Sequence, residues 1–513
     1  MSGARVYLIG AGPGDPALLT VKGHRILTTA DVVVFDHLVD RRLLALVRDG
    51  AEAIDVGPTS PRPLEQDAIC LLLAEKVQDG KTVARLKWGD PFVFDSGGKE
   101  ALFLHEQGVP FDVVPGVPPE IGAAAYAGIP VTYPDAGDVL TLIRGNEDGA
   151  TGPPRIAWSR LARLKGTIVT RGAGPQLAAV LNALQRHGRG ATEPAALVRQ
   201  GTLPAQRTTQ GTLAEIEALV RRDEETGPAV LVVGRVAALR EHLRWFDIRP
   251  LFGRRIVVTR ARAQATDLVT RLADLGAEPI EAPTIRVTAP DDPAPLERAC
   301  REIGSFDWVV FTSANAVTHV MSRLLAGPGD VRDLKGVRMC AVGPATAEAI
   351  RGHGIRIDLI PDEYRADAVA TALATNRQLD GARILLPRAD LARDRLPARL
   401  REAGAEVTAV TAYRTAPVDF EGDDTPDVYR LLLERRIDVV TFASGSSVRN
   451  FVTALGPDQA ADLMRGVDVA CIGPVTTDVA TELGITTTIM PREYTTAAMV
   501  QAIVDHVPRD ARG

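Results

Sequence analysis

Several short stretches in the second half of this 513-residue chain set hydroxyl and cationic side chains where buried strands hand over to helices. Trp308-Val-Val-Phe-Thr-Ser-Ala-Asn315 ends its apolar run at Ser313 and Asn315, and Asp438-Val-Val-Thr-Phe-Ala-Ser444 ends at Ser444, with Ser446 and Ser447 just beyond. Gly343-Pro344 and Gly473-Pro474 open two more helices, proline being suited to an early helical position, and Thr476 follows in the second of them. Read singly, each hydroxyl is a helix N-cap with a structural job. Read together, they put four helix N-termini at the C-terminal ends of strands, the edge where open α/β sheets hold ligands. Free backbone N–H groups there suit a polyanion. Arg260 and Arg388, at matching strand ends in Ile256-Val-Val-Thr-Arg260 and Ile384-Leu-Leu-Pro-Arg388, can add charge-assisted contacts.

These stretches belong to an internal repeat. Ile256–Arg260 answers Ile384–Arg388, and Leu275-Gly-Ala-Glu278 answers Ala403-Gly-Ala-Glu406, at an offset of 128. Ala341-Val-Gly-Pro-Ala-Thr346 answers Cys471-Ile-Gly-Pro-Val-Thr476, and Pro361-Asp-Glu-Tyr364 answers Pro491-Arg-Glu-Tyr494, at 130. Two copies of one α/β unit follow from this, buried strands alternating with amphipathic helices. Tyr413, in Val410-Thr-Ala-Tyr-Arg-Thr415, breaks the symmetry, since its counterpart is Ile285. A phenol with an ordinary pKa near 10 is protonated at neutral pH and can donate. The competing reading is a tyrosine that only packs in a strand at the hinge between copies.

The first half carries a different pattern. Val6-Tyr-Leu-Ile-Gly10 runs into Gly10-Ala-Gly-Pro-Gly-Asp15, then a helical spacing over 18–30, then Asp31-Val-Val-Val-Phe35 ending at Asp36. Glycines there permit positive φ and close backbone approach. The dinucleotide fingerprint is imitated but its third glycine is missing, Asp15 and Pro16 standing in its place.

Length favours roughly three or four domains of about 150 residues. The seam lies at Trp245–Arg260, punctuated by Pro250 and Gly253. Hydrophobic content of 45% suits a soluble chain with ample cores, and a net charge of −6 without a basic block argues against a nucleic-acid partner. No secretion signal or membrane span is expected, and the four scattered cysteines lack metal-ligand spacing; a cytoplasmic protein without metal is the expectation.

In the first half, Gly10–Asp15, Thr82-Val-Ala-Arg-Leu-Lys-Trp-Gly-Asp-Pro91, Val113-Val-Pro-Gly-Val117, Ala123–Pro130, Gly201–Thr208 and Pro228–Gly234 resemble, in this order, the tetrapyrrole methylases, nearest the uroporphyrinogen-III C-methyltransferases. The resemblance covers residues 5 to 246 and implies two α/β lobes, S-adenosylmethionine in the cleft between them, and a homodimer. It implies two C-methylations of uroporphyrinogen III. Pro13, Gly89, Asp90, Pro91, Gly201 and Ala229 match the family's cofactor-cleft positions, and Asp36 its catalytic carboxylate. The chain departs from the pattern at Pro58 (lysine in the family), Trp88 (glycine), Ser96 (arginine), Pro118-Pro119 (Thr-Ser or Thr-Ala) and Arg171 (methionine). Five changes around one cleft leave three readings: a methyltransferase, a non-catalytic docking or dimerisation module beside an active second half, or a redirected site with altered ligand chemistry.

The second half, over 251 to 507, resembles uroporphyrinogen-III synthase through Phe311–Val317, Leu386-Pro-Arg-Ala-Asp390, Val410–Thr415, Thr441–Ser447 and Ile472–Thr476. The resemblance implies two lobes joined by a two-strand ladder, about 254–286 with 416–507, and 287–415. It also implies hydroxymethylbilane, with eight carboxylates, as a substrate closed without cofactor. In that family Tyr413 would assist the departing hydroxyl, and Arg260, Ser313, Asn315, Arg388, Ser444 and Thr476 would meet substrate carboxylates. The expected domains are 1–247 and 251–510, each two-lobed and α/β.

Overall fold

The computed structural model describes residues 3–145, 153–222, 227–260, 262–361, 366–376, 379–390, 395–417 and 427–508. The chain divides into two compact units, Met1–Arg255 with Arg271–Glu278 and Val504–Gly513, and Ile256–Thr270 with Pro279–Ile503. The division falls inside the stretch 245–260.

In the first unit, β1 (Val6–Gly10), β2 (Val32–Phe35), β3 (Glu52–Asp55), β4 (Val83–Lys87) and β5 (Phe111–Val114) form a parallel sheet in the order β3-β2-β4-β1-β5. A second sheet holds β6 (Leu140–Ile143), β7 (Thr167–Gly172), β8 (Pro194–Arg199), β9 (Arg207–Thr212) and β10 (Ala229–Val233), ordered β6-β7-β10-β8-β9. There β6–β7 is parallel and the other pairings are antiparallel. The unbroken apolar runs of β2 and β10 are buried throughout, as strands covered on both faces must be. The helix expected over 18–30 is shorter, Val21–Leu27, because Thr20 caps it by accepting from Gly23 N at 3.1 Å.

In the second unit the strands are β11 (Arg255–Val258), β12 (Glu278–Glu281), β13 (Ile285–Thr288), β14 (Trp308–Phe311), β15 (Arg338–Ala341), β16 (Arg383–Ala389), β17 (Glu406–Pro417), β18 (Val439–Phe442) and β19 (Asp468–Cys471). One sheet runs β12-β11-β18-β19 and the other β13-β17-β16-β14-β15. Through the sequence repeat, β12, β11, β18 and β19 answer β17, β16, β14 and β15, and both sheets keep that order. The extra strand β13 pairs antiparallel with Arg414–Pro417 of β17. This ladder begins at Ile285, paired with Pro417, and continues with Arg286 paired with Ala416.

Helices Ala314–Ala326 and Gly445–Leu455 bury the faces their spacing predicts, Ala316, Val320, Met321 and Leu324 in one, with Val317 besides, and Val448, Phe451, Val452 and Leu455 in the other. The four cysteines are buried free thiols, and no helix among the described residues is long and apolar enough to cross a membrane.

Candidate functional site

Parallel pairing of β14, β15, β16 and β17 brings their C-terminal ends to one sheet edge. At the end of β14, Ser313 caps helix Ala314–Ala326, its Oγ accepting from Ala316 N at 3.2 Å. The same Oγ lies 3.0 Å from the Tyr413 hydroxyl. Tyr413 is only 8% exposed, and its ring stacks on His319 with centroids 5.7 Å apart and planes 18° from parallel. Burial pushes the His319 imidazole below its ordinary pKa, which favours the uncharged ring beside the phenol at neutral pH. Asn315 occupies the first turn of the same helix, half-buried. Arg388 pairs with Thr411, after which a register shift at Arg388/Ala389 sets Ala389 opposite Tyr413. Such an irregularity re-aims side chains locally.

The other lobe repeats the cap without the tyrosine. Ser444 Oγ accepts from Ser447 N at 3.2 Å and lies 3.0 Å from Ser446 Oγ. Thr476 is buried in the first turn of Pro474–Glu482, its N–H donating to Gly473 O at 3.1 Å. Arg260 follows β11; burial pulls its pKa down, with Asp267 opposing. Arg260 and Arg388 are thus less alike than the repeat suggests, because long β17 keeps Arg388 inside a paired strand while β11 ends at Val258. Ile285 pairs with Pro417, and its side chain lies outside the described residues. The residues singled out in the sequence therefore form two groups: Ser313, Asn315, Arg388 and Tyr413 on one sheet edge, and Arg260, Ser444 and Thr476 on the other. His319 was missed by sequence reasoning; its position two turns beyond the cap carried no signal until the fold set it against Tyr413.

The two serine caps allow capping and ligand contact to be separated. Ser444→Ala is expected to cost about 1 kcal/mol of stability. Ser444→Asp, also a good cap, should hold stability within roughly 0.5 kcal/mol. Its new carboxylate should nonetheless raise KM for a polycarboxylate substrate roughly tenfold, about 1.4 kcal/mol. Urea unfolding and steady-state kinetics on both variants check this, and an unchanged KM for Ser444→Asp removes Ser444 from the ligand edge.

In the first unit, glycines close the strand ends. A Cβ on Gly10 would come within 2.5 Å of Gly116 Cα, and one on Gly116 within 2.2 Å of Gly89 O. Gly89 sits at φ +74°, and Gly12 and Gly89 exchange backbone hydrogen bonds at 3.2 and 2.8 Å. Asp90 clamps this knot, accepting from Gly116 N at 2.9 Å and Phe92 N at 2.8 Å, so its carboxylate works on the loops themselves. Pro91 O lies against Gly97, and Gly201 packs on Ala123 between Gln200 and Thr202, both at positive φ. Thr202 Oγ1 accepts from Asp15 N at 3.0 Å, so the loops bearing Pro13 and Gly201 meet. Ala229 lies apart from that knot, starting β10 opposite Gly172 and Arg199.

Asp36 leads into a network that sequence reasoning missed. Its carboxylate is 3.6 Å from Arg85, Arg85 is 3.3 Å from Glu100, and Glu100 is 3.0 Å from Lys87, which also reaches Asp95 at 3.0 Å and Ser96 Oγ at 2.8 Å. Glu100 is wholly buried. Burial would raise its pKa, but Arg85 and Lys87, helped by Gln66, hold it below the usual carboxylate range. The signal was there: Val83-Ala-Arg-Leu-Lys87 puts two cations on one face of a buried strand, and buried cations require partners. Pro58 is exposed beyond β3.

Two further departures touch each other. Trp88 Nε1 donates to Pro13 O at 2.9 Å, and the Arg171 guanidinium lies 4.9 Å from the centre of the Trp88 ring. Arg171 also pairs with buried Glu120 at 3.2 Å and donates to Phe94 O at 2.7 Å. Among the described residues no cluster of His, Cys, Asp or Glu has the makings of a metal site.

Residues 5–217 match the Tetrapyrrole (Corrin/Porphyrin) Methylases, and residues 266–501 match Uroporphyrinogen-III synthase HemD. The porphyrin biosynthesis protein HemD of Ruminiclostridium josui is 34% identical over 476 residues, 93% of this chain and 93% of the relative. The chain belongs to the fused tetrapyrrole methylase and uroporphyrinogen-III synthase family. The uroporphyrinogen-III C-methyltransferase of Bacillus subtilis strain 168 is 36% identical over 366 residues, 71% of this chain and 75% of that one. A solved uroporphyrin-III C-methyl transferase from Thermus thermophilus, complexed with S-adenyl homocysteine, is 35% identical, covers 46% of this chain and all of its own, and has a TM-score of 0.40. The chain is thus an enzyme of tetrapyrrole biosynthesis with a methyltransferase domain followed by a synthase domain. In the methylase domain, the Trp88 indole and the Arg171 guanidinium meet beside the glycine-rich strand ends.

Proposed function

We propose that the synthase domain, about 251–510, closes hydroxymethylbilane to uroporphyrinogen III with inversion of the last ring. The observation that carries this is the buried Tyr413 hydroxyl held 3.0 Å from Ser313 Oγ at a sheet edge lined with caps and Arg388. The phenol O–H donates to the terminal hydroxyl of the substrate; the C–O bond breaks and water departs. The final pyrrole then attacks the carbon freed at the other end of the chain through its own substituted α-carbon, giving a spiro intermediate. The bond from that α-carbon to its former bridge breaks, the bridge carbon re-bonds at the ring's free α-carbon, and the proton lost there restores the pyrrole and reprotonates the phenolate. Arg260, Arg388, Ser313, Asn315, Ser444, Thr476 and the helix N-termini bind the carboxylates, and uncharged His319 keeps the phenol ring in place. No resident cofactor takes part in this reading.

The methylase domain, about 1–247, is proposed to recognise the tetrapyrrole product, with Asp36 beside Arg85 as its acid–base carboxylate. Pairing of two such domains into a homodimer rests on the family resemblance, and a cytoplasmic location on the four scattered, buried free thiols. The test is incubation of the purified chain with fresh hydroxymethylbilane and labelled S-adenosylmethionine, followed by oxidation, chromatography and mass spectrometry. Type-III isomer is the expected product. If only the type-I isomer of spontaneous closure forms, the proposal fails.

A further inference from the structure

Trp88 and Arg171 come from different sheets of the methylase domain. Trp88 follows β4 and Arg171 lies on β7, yet the two form one unit with Pro13, Phe94 and Glu120. The indole N–H spans from the end of β4 to the carbonyl of Pro13 beyond β1, the adjacent parallel strand. C-terminal strand ends of this kind are where α/β sheets receive ligands. Trp88 cannot easily swing away from its base, since neighbouring Gly89 is wedged backbone-to-backbone against Gly10 and Gly116.

Arg171 then closes the unit from the second sheet. Its guanidinium covers the indole at 4.9 Å, a favourable cation–π geometry. It is 9% exposed and its ion-pair partner Glu120 is wholly buried, so removing either leaves a costly buried charge. Its bond to Phe94 O grips a residue at φ +54°, a strained conformation that needs such support. Two departures from the family pattern that satisfy each other in this way are a built feature.

We propose that the Trp88–Arg171 bridge occupies the cofactor cleft of the methylase domain and makes binding of adenosyl-sulfur cofactors its weak step. The inference rests on reading this domain as a tetrapyrrole methylase and is independent of the synthase chemistry. The test is isothermal titration of the full chain with S-adenosylhomocysteine, for the wild type and for the triple variant Trp88→Gly, Glu120→Ala, Arg171→Met. Glu120 is replaced so that no buried carboxylate loses its partner. The triple variant is expected to bind at least tenfold more tightly than the wild type. Should it not fold, as judged by urea unfolding, Trp88→Gly alone leaves the Arg171–Glu120 pair in place and is read the same way. Wild-type binding within twofold of the variant overturns the proposal, as does absence of binding by both. Formation of type-III isomer by the same preparations reads the synthase proposal separately, so the two can fail independently.

Discussion

Tyr413→Phe is expected to lower the rate of type-III isomer formation by about 100-fold or more, the usual weight of a positioned proton donor. The substitution keeps the ring against His319 and inside its core cluster, and removes the hydroxyl 3.0 Å from Ser313 Oγ. Its cost in stability should stay near that of one hydrogen bond, about 1 kcal/mol. A large rate loss with a small shift in the unfolding midpoint therefore separates chemistry from structure. The product ratio adds a second readout, because unconverted hydroxymethylbilane closes spontaneously to the type-I isomer and that fraction should rise. A rate within threefold of wild type would return Tyr413 to the role of a packing residue.

The second large effect lies in the methylase domain. Glu100→Gln is expected to destabilise it by roughly 3 kcal/mol, because it removes the carboxylate shared by two buried cations. Arg85 keeps Asp36 at 3.6 Å and Lys87 keeps Asp95 at 3.0 Å, so the loss should fall at the lower end for a broken buried pair. The pH dependence has a definite sign. The folded-state pKa of Glu100 is held below its unfolded value, so its contribution is fully present above the ordinary carboxylate range. It disappears as pH falls through the lower, folded value. Denaturation of wild type and variant at pH 7.5 and at successively lower pH should show a gap that narrows on acidification. A gap under 1 kcal/mol at pH 7.5, or one that widens in acid, would count against the network.

Much of the architecture was legible before any coordinates. The repeat offsets of 128 and 130 point to two copies of one sheet, and the observed strand orders match copy for copy. Caps at Ser313 and Ser444 follow from local chemistry, since a hydroxyl before an apolar-periodic run has one nearby use. Gly10 announced close backbone approach, and the backbones it meets are those of Gly89 and Gly116. Asp90, matched to the family's cofactor cleft, accepts from Gly116 N and Phe92 N, loop-closing contacts that spacing does not reveal.

By itself the sequence determined which segments are strands and helices, that the second half is duplicated, and which side chains stand at strand ends. These are local or periodic properties, written in apolar spacing and capping residues a few positions apart. Tertiary structure alone decided which of those side chains meet. Ser313 and Tyr413 are separated by 100 positions and Trp88 and Arg171 by 83, and no periodic signal spans such distances. Their contacts depend on strand order, on a one-residue register shift beside Arg388, and on the pairing of charges shut away from water. Burial makes such partners obligatory, but only the folded chain says who they are.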